Sequence, residues 1–587
     1  MSGQPFPFVT LLALLAAAVA TVGIGFYGVR MARTTSDFLV ASRSVGPRWN
    51  AAAISGEYLS AASFLGVAGL IAKYGADALW YPVGFTAGYL GLLLFVAAPL
   101  RRSGAYTVPD FAEFRLGSAW LRKLAMLVVV VICILYMVPQ FQGAGLTLGI
   151  LLGWPTWVGA LVVGLIVIAN VVGGGMRSIT FVQAFQYWLK LTAVAVPALV
   201  LAVHFFGGAH DLGSPAPPTV DQRTSVDITA DVVVQVSAPL PVRVTGTLDG
   251  APVDGPVTLG PGEHELGAGT VLVLDAGSPV PVVAGAPSTE AQWLEPGWGF
   301  GGEHPLYQVY SLMIGIFLGT MGLPHVLVRF YTNPDGRAAR STSLTVIGLL
   351  GVFYLFPMLL GVFARLWVPQ LLITGTSDAA VLLLPGSVFS GVGGQLLAAL
   401  VAAGAIAAFL STSSGLLVSV AGVLATDVLR GRVRDFRIAA VVAGAIPLAL
   451  AVGVVSLDLS RTVGLVFAVA ASTLCPLLVL GIWWRGLTAA GAAAGMVVGG
   501  LASGAAGTVT VAGGVGDALW GGWPAALVGY PAAVSVPLAF AVMILVSLAT
   551  RAQVPSGVGL IFARMHVPER LGVGSDRELD LTGDAAT

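Results

Sequence analysis

Thirteen apolar runs divide this chain, at residues 7–29, 50–72, 78–99, 124–152, 156–176, 179–206, 306–328, 342–365, 395–426, 438–456, 462–484, 487–511 and 527–550. Rising about 1.5 Å per residue as a helix, each is long enough to cross a hydrocarbon layer of ~30 Å. The pattern predicts an all-α polytopic membrane protein with about thirteen spans. The first run lacks a basic segment before it and a small-residue cleavage site after it, so it predicts a retained helix rather than a signal peptide.

The polar segments between the runs differ by turns. One alternate set, with the C-terminal tail, holds 22 of the 28 Lys and Arg residues, among them Arg33, Arg43, Arg48, Arg101, Arg102, Arg337, Arg340, Arg430, Arg432 and Arg434. The other set holds Lys73, Arg223, Arg243, Arg365 and Arg461, and Lys190 lies inside a run. Positive charge collects on cytoplasmic loops. The asymmetry therefore predicts a cell (inner) membrane protein with its N-terminus outside and its C-terminus in the cytoplasm. The chain divides into spans one to six (1–206), an external insertion (207–305), spans seven to thirteen (306–550) and a cytoplasmic tail (551–587). The insertion carries twelve acids against two arginines. Its stretches DVVVQVSAPLPVRVTGTLDG and GTVLVLDAG are β-branched or alternating, with turn residues between them. They predict a small β-rich module, against the alternative of a disordered spacer.

Composition supports this reading. Hydrophobic residues make up 57% of the chain and charged residues 10%, against about 25% charged in soluble domains. Zero net charge gives no basic field for nucleic acid. Cys133 and Cys475 both sit in apolar runs, which suits neither a disulfide framework nor a zinc site. No nucleophile–base constellation or phosphate loop marks an enzyme, and no cofactor is expected beyond a coupling ion.

Spanning helices satisfy their own backbone, so glycine clusters and polar side chains inside them point to function. Span two carries Ser55, Gly56, Glu57, Ser60, Ser63, Gly66 and Gly69. It reads as a helix that breaks and offers carbonyls to an ion, or else as one packed through small residues. Span seven carries Gly319, Gly322 and Pro324, a second break or a simple proline kink. Two interrupted helices five spans apart suggest inverted repeats. In span nine, Ser411 to Ser414 are consecutive hydroxyls, and Ala408 shares a helix face with Ser411 and Thr412. Such oxygens suit a small hard cation, or they bond back to the preceding turn. Glu57 and Lys190 are the acid and the base well inside the predicted spans, at similar depth, and predict an intramembrane charge pair.

The stretches SDFLVASRSVGPRWNAAAISGEYLSAASFLG, GGGMRSITFVQ, GTMGLPHVLVRFYT with DGRAAR, and LSTSSG ending in ATDVL resemble the sodium:solute symporter family, and within it the cation/acetate (monocarboxylate) branch. The resemblance implies a LeuT-like core of two inverted five-helix repeats, spans two to six and seven to eleven. It implies a sodium site formed by the carbonyls of Gly56, Leu59 and Ala408 and the hydroxyls of Ser411 and Thr412, with Ser414 nearby. Gln183 stands where better-known relatives carry an aspartate, which weakens local attraction for a cation. By the same matching, Ser63, Gln140 and Thr320 are candidate substrate contacts, and a half-helix N-terminus near Gly319–Gly322 is expected to face a carboxylate. The expected activity is sodium- or proton-coupled uptake of a small organic anion such as acetate, propionate or pyruvate. Another small solute (an amino acid, pantothenate or a sugar) and a transporter-like sensor are the alternatives. The predicted cavity lacks a sequence signature of clustered aromatics and acids.

Overall fold

The computed structural model describes residues 8–29, 41–43, 45–208, 212–228, 230–300, 303–374, 377–429, 432–453, 459–512, 521–568 and 571. Among these, every predicted run is a helix or a chain of helical segments. By length and hydropathy ten helices qualify as spans, and the bent pair Pro305–Gly322 and Pro324–Phe330 makes eleven. Two of them are each two spans. The stretch Ala62–Arg102 turns at Gly75, where φ is 64°. The helix Thr156–Gly207 is 52 residues long, about 78 Å at 1.5 Å per residue, far more than a bilayer accommodates. Gly175 divides it with φ 57° and ψ −168°, a conformation essentially confined to glycine. Eleven plus two gives the thirteen spans.

The remaining spans are Phe8–Val29, Ala119–Leu152, Gly336–Trp367, Gly391–Asp427, Val433–Gly453, Leu459–Ser472 continued by Leu474–Trp483, Ala489–Ala512 and Ala532–Ala549. Span nine, Gly391–Asp427, is buried along nearly its whole second half and packs on the spans around it. Its run of Ala, Gly and Ser keeps it thin enough to be surrounded, the usual solution where backbones approach closely in a membrane.

The insertion is a seven-stranded antiparallel sheet: β1 Thr224–Asp227, β2 Val232–Val236, β3 Leu240–Leu248, β4 Ala251–Leu259, β5 Gly262–Leu266, β6 Val271–Leu274 and β7 Val282–Val283. Strand order is β1-β6-β3-β5-β2-β7, with β4 paired to β3. Period-two alternation explains it: Leu240, Val242 and Val244 are buried while Pro241, Arg243 and Thr245 face out. Its core also takes in Leu372 and Ile373 from the segment after span eight.

Three contacts tie the segment that follows the sheet to one end of the bundle. Trp293 Nε1 donates to Ile71 O at 2.6 Å. Arg365 donates to Pro287 O at 3.0 Å. Asp77 accepts from the amides of Gly297 and Gly299 at 2.9 and 2.6 Å. At the other end, Arg101 donates to the carbonyls of Asn333 and Pro334, Arg122 bridges Glu113 and Asp427, and Arg102 reaches His566 O in the short tail helix Val558–His566. The two alternate loop sets thus gather at opposite ends. Arg33, Arg430, residues 36–40 of the first resembling stretch and the tail from 572 lie outside the described residues.

Candidate ion and substrate site

Span two breaks after its first half. The helix Pro47–Tyr58 stops at Leu59, whose φ and ψ are −71° and 83°. A π-helical turn, Ala62–Gly66, leads into Val67–Tyr74. Carbonyls at such an end lack the amides a continuing helix would supply. Gly56 is required here by close approach: a Cβ would collide with the Gln183 carbonyl of span six.

Of the five oxygens assigned to a sodium site, four are linked through Ser411 and Lys190. The Ser411 hydroxyl donates to Gly56 O at 2.7 Å and approaches Ala408 O at 3.2 Å. The Thr412 hydroxyl donates to Glu57 O at 2.6 Å. Three of the five meet the ammonium of Lys190, which donates to Gly56 O, to Leu59 O at 2.7 Å and to Ser411 Oγ at 2.8 Å. Lys190 is wholly buried. The residues present therefore do not fit a sodium ion beside the lysine. Two unit positive charges 4 Å apart repel by about 4 kcal/mol at an effective dielectric constant of ~20, and the ammonium already holds three of the acceptor oxygens.

The expected Glu57–Lys190 pair is corrected by this geometry. Glu57 Oε2 instead accepts from Arg329 Nε at 2.6 Å, and both side chains are 1% exposed. Arg329 also donates to Thr180 Oγ1 at 2.8 Å and to Gln183 Oε1. Gln183 passes the link on, its amide nitrogen donating to Ser411 O at 2.8 Å. An amide can accept and donate at once, and an ionised aspartate cannot. Gly415 leaves room for the Glu57 carboxylate, since a Cβ there would overlap it. Arg329 falls one residue past the predicted end of span seven, so a survey of charges within spans passed over it. Its long fork reaches back into the bundle from the short helix Pro324–Phe330.

The substrate candidates Ser63, Gln140 and Thr320 are all buried beside the two breaks. Ser63 Oγ bonds Tyr354 OH at 2.8 Å. Thr320 Oγ1 bonds Tyr58 OH at 2.8 Å and donates to Ile316 O. Gln140 Oε1 accepts from Ala61 N at 3.1 Å, at the break in span two, while its Nε2 has no partner among the described residues. Around them lies a continuous set of rings that sequence reasoning missed. Tyr58 meets Phe85, Tyr89 and Phe467 edge-on or tilted. Phe85 stacks on Tyr354. Tyr136 meets Phe467 and His325. Both ring nitrogens of the buried His325 lack partners among the described residues. An aromatic cluster is therefore present, although the nearby Glu57 carboxylate is engaged by Arg329.

Gly319–Gly322 is the C-terminal end of the first half of span seven, and the second half starts at Pro324 after a 44° bend, so a half-helix N-terminus lies directly beside Gly322. Leu323 is extended, with ψ 116°, as the residue before proline prefers. Clefts open to either side of the ring cluster. One is lined by Thr107, Pro324, Val328 and Ser419, and the other by Tyr81, Ser311, Arg461 and Tyr530.

Comparison with known proteins agrees with this architecture. The profile of the sodium:solute symporter family matches residues 38–237 and 299–499 and passes over most of the sheet module. An uncharacterized symporter of Bacillus subtilis, YwcA, is 29% identical over 544 residues, 90% of this chain and 92% of its own length. A monocarboxylic acid transporter of Corynebacterium glutamicum is 30% identical over 583 residues, 94% of this chain and 93% of its own. The solved Na+-coupled sialic acid symporter, in its substrate-bound outward-open state, superposes with a TM-score of 0.60 at 14% identity, over 92% of this chain and 98% of that one. The chain belongs to the sodium:solute symporter family.

Proposed function

We propose that the chain is a cation-coupled symporter that takes up a short monocarboxylate, such as acetate, propionate or pyruvate, across the cell membrane. The observation that carries the reading is the pairing of unmet hydrogen-bonding groups with rings at the breaks of spans two and seven. Among the described residues, Gln140 Nε2 and the His325 ring lack partners while completely buried. Both connect to one cluster, because Tyr136, one helical turn before Gln140, packs against His325. Buried polar groups are ordinarily satisfied, so these are poised for a ligand. A short carboxylate suits them: its oxygens accept from the amide and the imidazole, and its small apolar end lies among Tyr58, Phe85, Tyr136 and Phe467. Likeness to the monocarboxylic acid transporter favours the same class. Aromatic rings with a free acid among them would favour an amine instead, but Glu57 is tied to Arg329.

The test is uptake of labelled acetate into proteoliposomes, with sodium and proton gradients imposed separately. Excess unlabelled propionate and pyruvate should compete, and proline, glucose and pantothenate should not. Gln140→Ala should raise the half-saturating acetate concentration by roughly ten-fold to a hundred-and-fifty-fold, the worth of a hydrogen bond to a charged group. Failure of acetate to enter under either gradient, or uptake driven by proline or glucose in its place, sinks the assignment.

A further inference from the structure

We infer that Lys190 is the resident cation of the pocket between spans two, six and nine, and that this chain binds no sodium there. The inference rests on the symporter reading of the fold but not on the identity of the substrate. An ammonium has three N–H donors and accepts nothing. Lys190 has three acceptors within reach: Gly56 O, Leu59 O and Ser411 Oγ. The match is complete, and it uses three of the five oxygens that the family resemblance gives to the ion. Of the other two, Ala408 O lies 3.2 Å from the Ser411 hydroxyl, whose proton goes to the nearer Gly56 O, and the Thr412 hydroxyl donates to Glu57 O at 2.6 Å.

Charge leads to the same conclusion. The charged groups around the pocket are Glu57 on span two, Arg329 on the short helix after the span-seven break, and Lys190 itself. Arg329 neutralises Glu57 directly, so the three sum to one positive charge before any ion enters. Gln183 adds none, because its amide joins Arg329 to Ser411 O. A pocket built for a free cation would need a surplus of negative or oxygen donors. This one offers neither to a free ion, because its charges already sum to one positive charge and three of its oxygens are held by a cation fixed to the chain. Lys190 is also held mid-span, between the break of span two and the hydroxyls of span nine, too deep to reach an interface by extending its stem.

The experiment is thermal unfolding of the purified full-length protein without substrate, in sodium chloride against potassium chloride at equal ionic strength. Wild type should unfold at the same temperature in both salts. Lys190→Ala removes the amine and leaves its oxygens facing an open space, so it should acquire a saturable upward shift specific to sodium. Adding Ser411→Ala to that variant should abolish the shift. A folded Lys190→Ala that does not distinguish sodium from potassium overturns the inference. So does a sodium-specific shift in wild type that Ser411→Ala removes. A wild-type shift that survives Ser411→Ala arises elsewhere in the protein and supports the exclusion of sodium from this pocket. Should Lys190→Ala fail to fold, the wild-type and Ser411→Ala comparison decides alone. None of these outcomes involves a carboxylate, so a wrong substrate assignment leaves the result readable.

Discussion

Removing the Glu57 carboxylate leaves the Arg329 guanidinium buried with one charge unanswered, and removing Arg329 does the same to Glu57. Breaking a buried pair from one side typically costs about 3–5 kcal/mol. Glu57→Gln and Arg329→Met should each destabilise the protein by an amount of that order. The double variant should lie closer to wild type than the worse single one, because neither charge is then orphaned. Additive losses in a thermal-stability cycle would remove the pair from the account. The same cycle run on Glu57 and Lys190 should give the weaker coupling, since the lysine bonds backbone carbonyls rather than the carboxylate. Several of these residues were legible in the sequence. Glu57, Lys190, Ser411 and Thr412 stood out because polar groups in apolar runs demand partners. Which partner each one takes was not legible. Arg329 lies outside the predicted run, and the Tyr58, Phe85, Tyr136, Tyr354 and Phe467 rings come from helices far apart in sequence, where aromatics are unremarkable one by one.

At the scale of elements, local chemistry explains most of what was readable. Pro324 marks the break in span seven, and the glycines and serines of span two mark its partner. The break at Thr473, between Leu459–Ser472 and Leu474–Trp483, has φ −124° and ψ −76° and lies just before Pro476, which removes the hydrogen bond to the Ser472 carbonyl and crowds it. Within the sheet, the β3–β4 connection was readable as Asp-Gly between alternating strands. Asp249 and Gly250 both have positive φ, 49° and 76°, as a two-residue hairpin turn requires. His264 steadies that turn. Its Nδ1 meets Asp249 Oδ2 at 2.9 Å and its Nε2 meets Gly260 O at 2.9 Å. Two acceptors on one imidazole favour the doubly protonated ring, so the hydrogen bond to Asp249 raises the His264 pKa from its ordinary value. The hydrogen bond from His264 lowers that of Asp249. A raised histidine stabilises the fold fully below its ordinary pKa of 6.5 and loses that contribution as pH rises through the folded value. A lowered aspartate stabilises above its ordinary 3.8 and loses it as pH falls through the folded value. The pair therefore works at mildly acid pH. Histidine-labelled protein should show one of its six imidazoles titrating above 6.5 in wild type and falling toward that value in Asp249→Asn. A resonance that ignores the substitution would separate His264 from the turn.

For the whole molecule, the central question is which end of the bundle faces which compartment. Hydropathy gave the number of spans because bilayer thickness sets run length, and two breaks five spans apart gave the repeat pattern. The packing adds that the sheet module, Asp77, Arg365 and Ile373 share one end, while Arg101, Arg122, Asn333, Asp427 and the tail helix share the other. Contacts between loops cannot assign either end to the cytoplasm, because no bilayer asymmetry enters them. Charge does: the alternate loop set that includes the tail holds 22 of the 28 basic residues in the sequence, the bias that the positive-inside tendency places in the cytoplasm. Ser237 in the sheet module and Ser556 near the tail helix are both exposed, and Cys133 and Cys475 are both buried. Single cysteines at Ser237 and Ser556, in a background lacking the two native thiols, report the sides directly. An impermeant thiol reagent on intact cells should label the protein at 237 and spare it at 556 until the membrane is opened. The reverse pattern would invert the assignment and place the acidic module in the cytoplasm, beneath a positively charged outer face. That arrangement would contradict the charge rule for every loop at once.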